Sequence, residues 1–348
     1  MNPDEKYMNR CLQLAVLGSG SVSPNPMVGA LLVHNGNIIG EGYHKVYGEA
    51  HAEVNCISGV NKTNWNLIPE STMYVSLEPC THFGKTPPCT DLIIRSQIRK
   101  VVIGCQDIYT QVNGKGIQKL KDAGIEVITG VLENDCRQIN HRFFTFHSKQ
   151  RPYIILKWAE SANHKIANED FQRVLISNDY SNLLVHKWRS EEAAIMAGTN
   201  TILYDDPFLN NRHWTGKSPA RLILDMKLRL PKSSNVFNRE ISTIVFNGIK
   251  SEVIGNMVYH KIEPENLLQG MMQFLYNTNL QSVLVEGGAK LIQSFIDENL
   301  WDEARVITNE KLKIIKGISS PVLSSFILEK QERYESDQIV YYRNPGKD

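Results

Sequence analysis

The chain has 348 residues, 42% of them hydrophobic and 22% charged, and a formal net charge of +1. Its length suggests two domains, and its composition is that of an ordinary globular protein. The balanced charge excludes bulk electrostatic attraction to nucleic acid or to a membrane surface. No stretch is apolar enough for a membrane span, and no charged region followed by an apolar run opens the chain, so a cytoplasmic protein without a signal peptide is expected.

Read in chain order, the first element is an amphipathic helix with Pro3 near its first turn and Cys11, Leu12, Leu14, Ala15 and Leu17 as its apolar content. After the turn Ser23-Pro24-Asn25-Pro26, apolar runs over 28–33 and 38–43 flank Asn35-Gly36, a strong hairpin signal. His51 opens a helix over 52–58. An apolar strand over 73–77 leads to Pro79-Cys80, and Pro88 before Cys89 suits a helix start near Asp91. A strand over 101–103, a helix over 116–123, a strand over 125–128 and one long helix over 132–147 complete the first half. The basic run His147-Ser148-Lys149-Gln150-Arg151-Pro152 marks the boundary between domains at 1–148 and 149–348.

The second half begins a fresh α/β pattern. Strands are expected over 153–156, 194–197, 221–225, 244–246 and 283–285, with a helix over 182–189. Glu286-Gly287-Gly288 then precedes a helix over 289–296. Helices alternating with strands give an α/β fold in both halves, with a mixed sheet in the first. There is no internal repeat.

His51-Ala52-Glu53, Pro79-Cys80 and Cys89 supply one imidazole, two thiols and a spare carboxylate. Three such ligands fill three tetrahedral positions around zinc and leave the fourth for water, which is the arrangement of a catalytic rather than a structural zinc. In zinc deaminases a glutamate two residues after the histidine carries protons and does not bind metal. His51, Cys80 and Cys89 are therefore the expected zinc ligands, and Glu53 the proton carrier. Eight residues separate Cys80 from Cys89, where the general deaminase signature has two. The insertion is polar and carries Lys85, which suits a substrate phosphate. Cys11, Cys56, Cys105 and Cys136, four of six cysteines, lie in apolar or helical contexts and are expected to be free reduced thiols. In the second half, strand, Gly287-Gly288 and helix form a phosphate-binding arrangement in which backbone N–H groups approach an anion. Arg173, Arg189 and Arg212 could add bidentate hydrogen bonds to that anion. A full dinucleotide fingerprint is absent.

These motifs converge on a family. Pro24-Asn25-Pro26-Met27-Val28-Gly29, Gly40-Glu41-Gly42-Tyr43-His44, His51-Ala52-Glu53, Leu77-Glu78-Pro79-Cys80 and the run from Thr81 to Cys89 resemble the bifunctional riboflavin-biosynthesis deaminase/reductase. The resemblance implies a cytidine-deaminase-like α/β/α domain followed by a dihydrofolate-reductase-like α/β domain. It implies deamination of 2,5-diamino-6-ribosylamino-4(3H)-pyrimidinone 5′-phosphate with zinc, then NADPH-dependent reduction of the ribosyl group to a ribityl chain. Asn25 and His44 would contact the ring, and His82, Lys85 and Thr86 the substrate and its phosphate. In the second half Lys157-x-Ala159-x-Ser161, Arg189, Gly198-Thr199-x-Thr201 through Leu209, Arg212, Arg221 to Asp225 and Glu286-Gly287-Gly288 resemble the reductase. By this resemblance Ala159, Leu175, Ser177, Thr201, Asp205, Gly287 and Gly288 would face NADPH. Lys157, Arg173, Arg189, Leu209, Arg212 and Glu286 would face the substrate.

The chain departs from the family pattern at Asn163 and His164, where aspartate and glycine are usual, and at Leu175, where a tryptophan is usual. These positions bear on cofactor affinity. The expectation is that they lie on the nicotinamide side, and that His164 adds a cation or donor near the cofactor. Small phosphorylated pyrimidines are the expected partners and a homo-oligomer the expected state. A deaminase whose reductase half is impaired is the alternative reading. A base deaminase acting on nucleic acid is disfavoured by the lack of a basic stripe.

Overall fold

The structure, a computed structural model, describes residues 2–347 except Thr86, Thr110, Gln111 and Phe171. The chain divides into two compact units, Met1–Lys149 and Gln150–Asp348. Among the described residues no helix is long and apolar enough to cross a membrane.

The first unit opens with α1 (Pro3–Ala15). Its start is fixed by a reciprocal cap, the Asn2 side chain accepting from the Glu5 N–H and the Glu5 carboxylate from the Asn2 N–H. Strands β1 (Gly29–His34) and β2 (Asn37–Tyr43) form the expected hairpin. Asn35 and Gly36 both take positive φ, 46° and 79°, which a tight turn of this hand requires. Then come α2 (Ala52–Ser58), β3 (Thr72–Leu77), α3 (Cys89–Arg95), β4 (Lys100–Cys105), α4 (Lys115–Asp122), β5 (Glu126–Thr129), α5 (Glu133–Ile139) and α6 (His141–Lys149). Among the described residues the sheet has the order β2-β1-β3-β4-β5, antiparallel at β2-β1-β3 and parallel at β3-β4-β5. Ala52, Cys56, Ile93 and Leu120 from α2, α3 and α4 pack on one face. Met8, Cys11 and Leu12 of α1 and Cys136 of α5 pack on the other. The unit is thus an α/β/α sandwich.

Two details differ from the sequence-based expectation. Helix α3 begins at Cys89 itself rather than near Asp91. The long helix over 132–147 is two helices broken at Asn140. The Asn140 side chain accepts from the Met27 N–H and donates to the Met27 carbonyl, both at 2.8 Å, so it acts as a surrogate strand partner for the Met27 backbone.

In the second unit the elements are β6 (Tyr153–Ser161), β7 (Lys165–Asn168), α7 (Asp179–Glu191), β8 (Ala194–Gly198), α8 (Thr199–Asp205), β9 (Ala220–Leu224), β10 (Thr243–Asn247), β11 (Glu252–Ile254), β12 (Met257–Lys261), α9 (Leu267–Asn277), β13 (Ser282–Val285), α10 (Ala289–Asp297), β14 (Glu303–Asn309), β15 (Gly317–Ser319), β16 (Ile327–Tyr334) and β17 (Asp337–Arg343). Their main sheet runs β11-β12-β10-β9-β8-β13-β6-β14-β17-β16 among the described residues. From β12 to β14 all neighbours are parallel, while β11, β17 and β16 pair antiparallel at the edges. Helices α9 and α10 cover one face through Met271, Leu275, Ile292 and Phe295. Val185 and Trp188 of α7 and Ile202 of α8 cover the other. Both faces are therefore dry, which is why these strands read as continuous apolar runs.

Strand β2 lies so close to α2 that its glycines are obligatory. A Cβ on Gly42 would overlap the Cys56 nitrogen and the Ala52 carbonyl oxygen, and one on Gly40 would come within 2.7 Å of the Cys56 oxygen. Gly42→Ala should therefore destabilise the first unit by roughly 1–3 kcal/mol, the usual cost of overpacking a well-packed site. Urea unfolding of the full chain would measure it, and an unchanged midpoint would show that α2 can move away freely.

Candidate functional site

Helix α2 is entered through His51 in extended geometry (φ −72°, ψ 169°), which leaves the His51 side chain outside the helix. Cys80 follows β3, and Cys89 opens α3. The His51 Nδ1 is 3.6 Å from the Cys80 Sγ and 3.4 Å from the Cys89 Sγ. Tetrahedral zinc bound at ordinary lengths holds nitrogen and sulfur about 3.5 Å apart, so the spacing fits. The ligand atoms of His51, Cys80 and Cys89 all lie within 4.8 Å of one another, and among the described residues they are the only such cluster of histidine, cysteine and carboxylate groups. A hydrogen bond from the Cys89 thiol lowers the Cys80 thiol to about 4, while Cys89 itself is pushed up, chiefly by Cys80. Thiolate is the form that ligates metal.

Glu53 is not one of the three converging donors. It is 3% exposed, and burial pushes its carboxyl up. Beside it, the His44 ring meets the His51 ring edge-on at 5.2 Å. His44 Nδ1 donates to the Ala50 carbonyl at 3.1 Å and Nε2 accepts from the Asn25 amide at 3.2 Å, which fixes one tautomer. Burial lowers the pKa of His44, so the ring is neutral. The Asn55 amide donates to the carbonyls of Tyr43 and Ala50 and so secures the segment that carries His44.

In the insertion, His82 lies edge-on to Tyr109 at 6.2 Å, and its buried Nδ1 has no hydrogen-bond partner among the described residues. The Lys85 ammonium stands 4.1 Å above the Tyr47 ring. Thr86 lies outside the described residues.

The thirteen reductase residues expected from the sequence all line one cavity of about 1430 Å³ in the second unit. Lys157, Arg173, Arg189, Leu209, Arg212 and Glu286 line it together with Ala159, Leu175, Ser177, Thr201, Asp205, Gly287 and Gly288. It opens where β8, β9 and β13 end, the crevice that open parallel sheets use for ligands. A single small ligand occupies at most about 1000 Å³, so there is space for a cofactor and a substrate together. At its centre Arg189 donates twice to Glu286, both at 2.8 Å, and Lys157 lies 3.7 Å from the same carboxylate. Burial pushes the Glu286 carboxyl up, but Arg189 and Lys157 outweigh it and hold the carboxyl at about 2. Arg189 also donates to the Asn210 carbonyl, and His186 Nδ1 accepts the Arg212 N–H, so both pin the segment bearing Leu209 and Arg212. Burial, Arg189 and Arg212 lower His186 to about 4 and keep it neutral.

Three expectations are corrected. Asn163 and His164 do not line the cavity. Asn163 instead bonds both backbone groups of Ile314, and His164 Nδ1 pairs with Glu160 at 2.7 Å. His164 also has φ 56°, a conformation that favours the glycine usual there. Finally, the Gly288 N–H is not open to an anion, because it donates to the Thr201 hydroxyl at 2.9 Å. Gly287 is required by crowding, since a Cβ there would come within 2.7 Å of the Gly198 nitrogen. Sequence reasoning assigned no role to His186, Tyr109 or Glu78. Their partners lie far along the chain, where local pattern carries no signal.

Two family models match the chain. Residues 1–105 match the cytidine and deoxycytidylate deaminase zinc-binding region, and residues 152–312 match the RibD C-terminal domain. The chain is 39% identical to the riboflavin biosynthesis protein RibD of Aquifex aeolicus, over 98% of each chain. It is 37% identical to that of Bacillus amyloliquefaciens over 86% of this chain and 82% of the relative. Among solved structures, a diaminohydroxyphosphoribosylaminopyrimidine deaminase/5-amino-6-(5-phosphoribosylamino)uracil reductase from Thermotoga maritima superposes with a TM-score of 0.90 at 36% identity, covering 98% of each. A RibD of Acinetobacter baumannii gives 0.87 at 29% identity with the same coverage.

The Glu286 carboxyl is ionised in the folded chain down to about pH 2, against an ordinary value of 4.5. Its stabilisation is complete above about pH 4.5 and is lost as pH falls toward 2. The urea midpoint of the second unit should fall across that window. Glu286→Gln should be less stable at neutral pH and show a flatter acid slope. Parallel slopes in the two proteins would place the acid sensitivity elsewhere.

Proposed function

The chain belongs to the bifunctional riboflavin-biosynthesis deaminase/reductase family, and from that premise we propose how its residues divide the two reactions. The first unit hydrolyses the ring amine of 2,5-diamino-6-ribosylamino-4(3H)-pyrimidinone 5′-phosphate. The second reduces the ribosyl group of the product to a ribityl chain. The carrying observation is the convergence of His51, Cys80 and Cys89 beside a buried carboxylate that is not among them.

His51, Cys80 and Cys89 would hold zinc. Zinc, when bound, supplies Lewis acidity and an activated water at neutral pH. Glu53 would carry the proton that reaches the departing amine. Its raised carboxyl brings it closer to the operating pH, which general acid–base catalysis favours. Asn25 and His44 contact the pyrimidine. Because His44 Nδ1 is committed to Ala50, the ring is held in one orientation. His82, Lys85 and Thr86 contact the substrate and its phosphate, and Lys85 would leave the Tyr47 ring to do so.

In the second unit NADPH, when bound, supplies the hydride. The neutral backbone of the Gly287-Gly288 turn, with Ala159, Leu175, Ser177, Thr201 and Asp205, forms its side of the cavity. Lys157, Arg173, Arg189, Leu209, Arg212 and Glu286 form the substrate side. The net charge of +1 supports small phosphorylated pyrimidines rather than polyanions as partners.

Glu53→Gln should retain its zinc and lose deamination by on the order of a hundredfold or more. Cys80→Ser should lose the zinc itself. Metal analysis beside a deaminase assay separates the two, and zinc loss in Glu53→Gln would make Glu53 a ligand or a structural residue.

For the second unit, NADPH oxidation with the deaminated substrate supplied directly should proceed. No oxidation at saturating NADPH by a folded chain would leave a deaminase alone.

A further inference from the structure

Glu78 stands two residues before the zinc ligand Cys80 and is 4% exposed. A buried carboxylate is costly unless it is paired or hydrogen-bonded. Among the described residues its partners are four backbone N–H groups. Oε2 accepts from Asp107 at 3.2 Å and Gly114 at 2.9 Å, and Oε1 from Gly116 at 2.8 Å and Ile117 at 3.2 Å. Gly116 and Ile117 lie in the first turn of α4, whose own N-cap, Gly114, has no side chain to offer. Glu78 therefore caps α4 from another element, at its positive end. The fit is close: a Cβ on Gly116 would overlap the Pro79 carbonyl oxygen, between Glu78 and Cys80. Helix α4 also reaches the other thiol ligand's element, since Lys119 pairs at 2.5 Å with Asp91 in the first turn of α3, which Cys89 opens.

We propose that Glu78 is a positioning residue of the zinc site: its carboxylate ties the backbone before Cys80 to the first turn of α4, the helix that also braces the Cys89 helix. An amide cannot replace it. Glutamine has one acceptor oxygen, and its NH2 group would face N–H groups on the other side. The Cys80 backbone would then lose its anchor on α4, and the two sulfurs their fixed separation. Partners that orient metal ligands change metal affinity by roughly ten- to a hundredfold when removed.

The inference rests on the zinc reading above. The test uses the full chain as wild type, Glu78→Gln and Gly116→Ala, the last pressing on the Pro79 carbonyl and on the Glu78 side chain while keeping the carboxylate group. Zinc affinity is measured by competition with a chromogenic chelator, and site geometry by the visible spectrum of the cobalt-substituted protein. NADPH oxidation reports that the second unit is undisturbed, and circular dichroism with urea unfolding of the full chain reports that the first unit is folded. Both variants should bind zinc roughly ten- to a hundredfold more weakly. Their cobalt spectra should be altered and their NADPH oxidation unchanged. Zinc affinity and cobalt spectrum equal to wild type in Glu78→Gln would overturn the proposal. If that variant does not fold, the same result in Gly116→Ala would overturn it. Wild type without zinc, or Cys80→Ser retaining it, would instead sink the zinc reading.

Discussion

A histidine 29 and 38 residues from two cysteines can share one metal with them only if stiff pieces of backbone bring the three within a few ångströms and keep them there. In the first unit that constraint falls on glycine. Gly40 and Gly42 let α2 lie directly on β2, and Gly116 lets α4 lie directly on the Pro79 carbonyl. The donors project from these contacts. His51 is held outside the start of α2, and Cys89 is fixed at the start of α3. The hydrophobic packing of Ala52, Cys56 and Ile93 is ordinary by comparison.

Three buried glutamates show how surroundings divide labour within one residue type. Glu53 has burial as its dominant influence and is pushed toward the protonated form. Glu286 meets Arg189 and Lys157 and stays ionised far below its ordinary range. Glu78 accepts, among the described residues, hydrogen bonds from backbone N–H groups, which satisfy both oxygens and link two parts of the chain. The first is suited to moving a proton, the second to fixing cations, the third to holding backbone.

Much of this was legible in the sequence. The Asn35-Gly36 hairpin, the helix after His51 and the strand before Cys80 follow from local turn chemistry and periodicity, and so do the converging donors. The resemblance named the residues that gather around the reductase cavity. What could not be read depends on distant partners. Nothing near Asn140 announces that Met27 will break its helix, and nothing near Asn163 announces Ile314. Glu160 draws His164 away from the cavity, where motif comparison alone would have put it. The strands of the chain's last fifty residues also escaped. On the outer strand β16 residues are exposed on both faces, so no burial pattern marks it.

The pairing of Arg189 with Glu286 has a consequence for how the second cavity handles a charged molecule. Lys157 and Arg189 bring two positive charges, and the carboxylate between them removes one. On the proposed assignment, an arriving phosphate would meet a moderated field rather than a pair of bare cations. Attraction of that kind orients an anion without trapping it, and it changes little with added salt because the charges are shielded from solvent. On that assignment such a pocket would suit turnover, since the reduced product carries the same phosphate as the substrate and would have to leave from the same place.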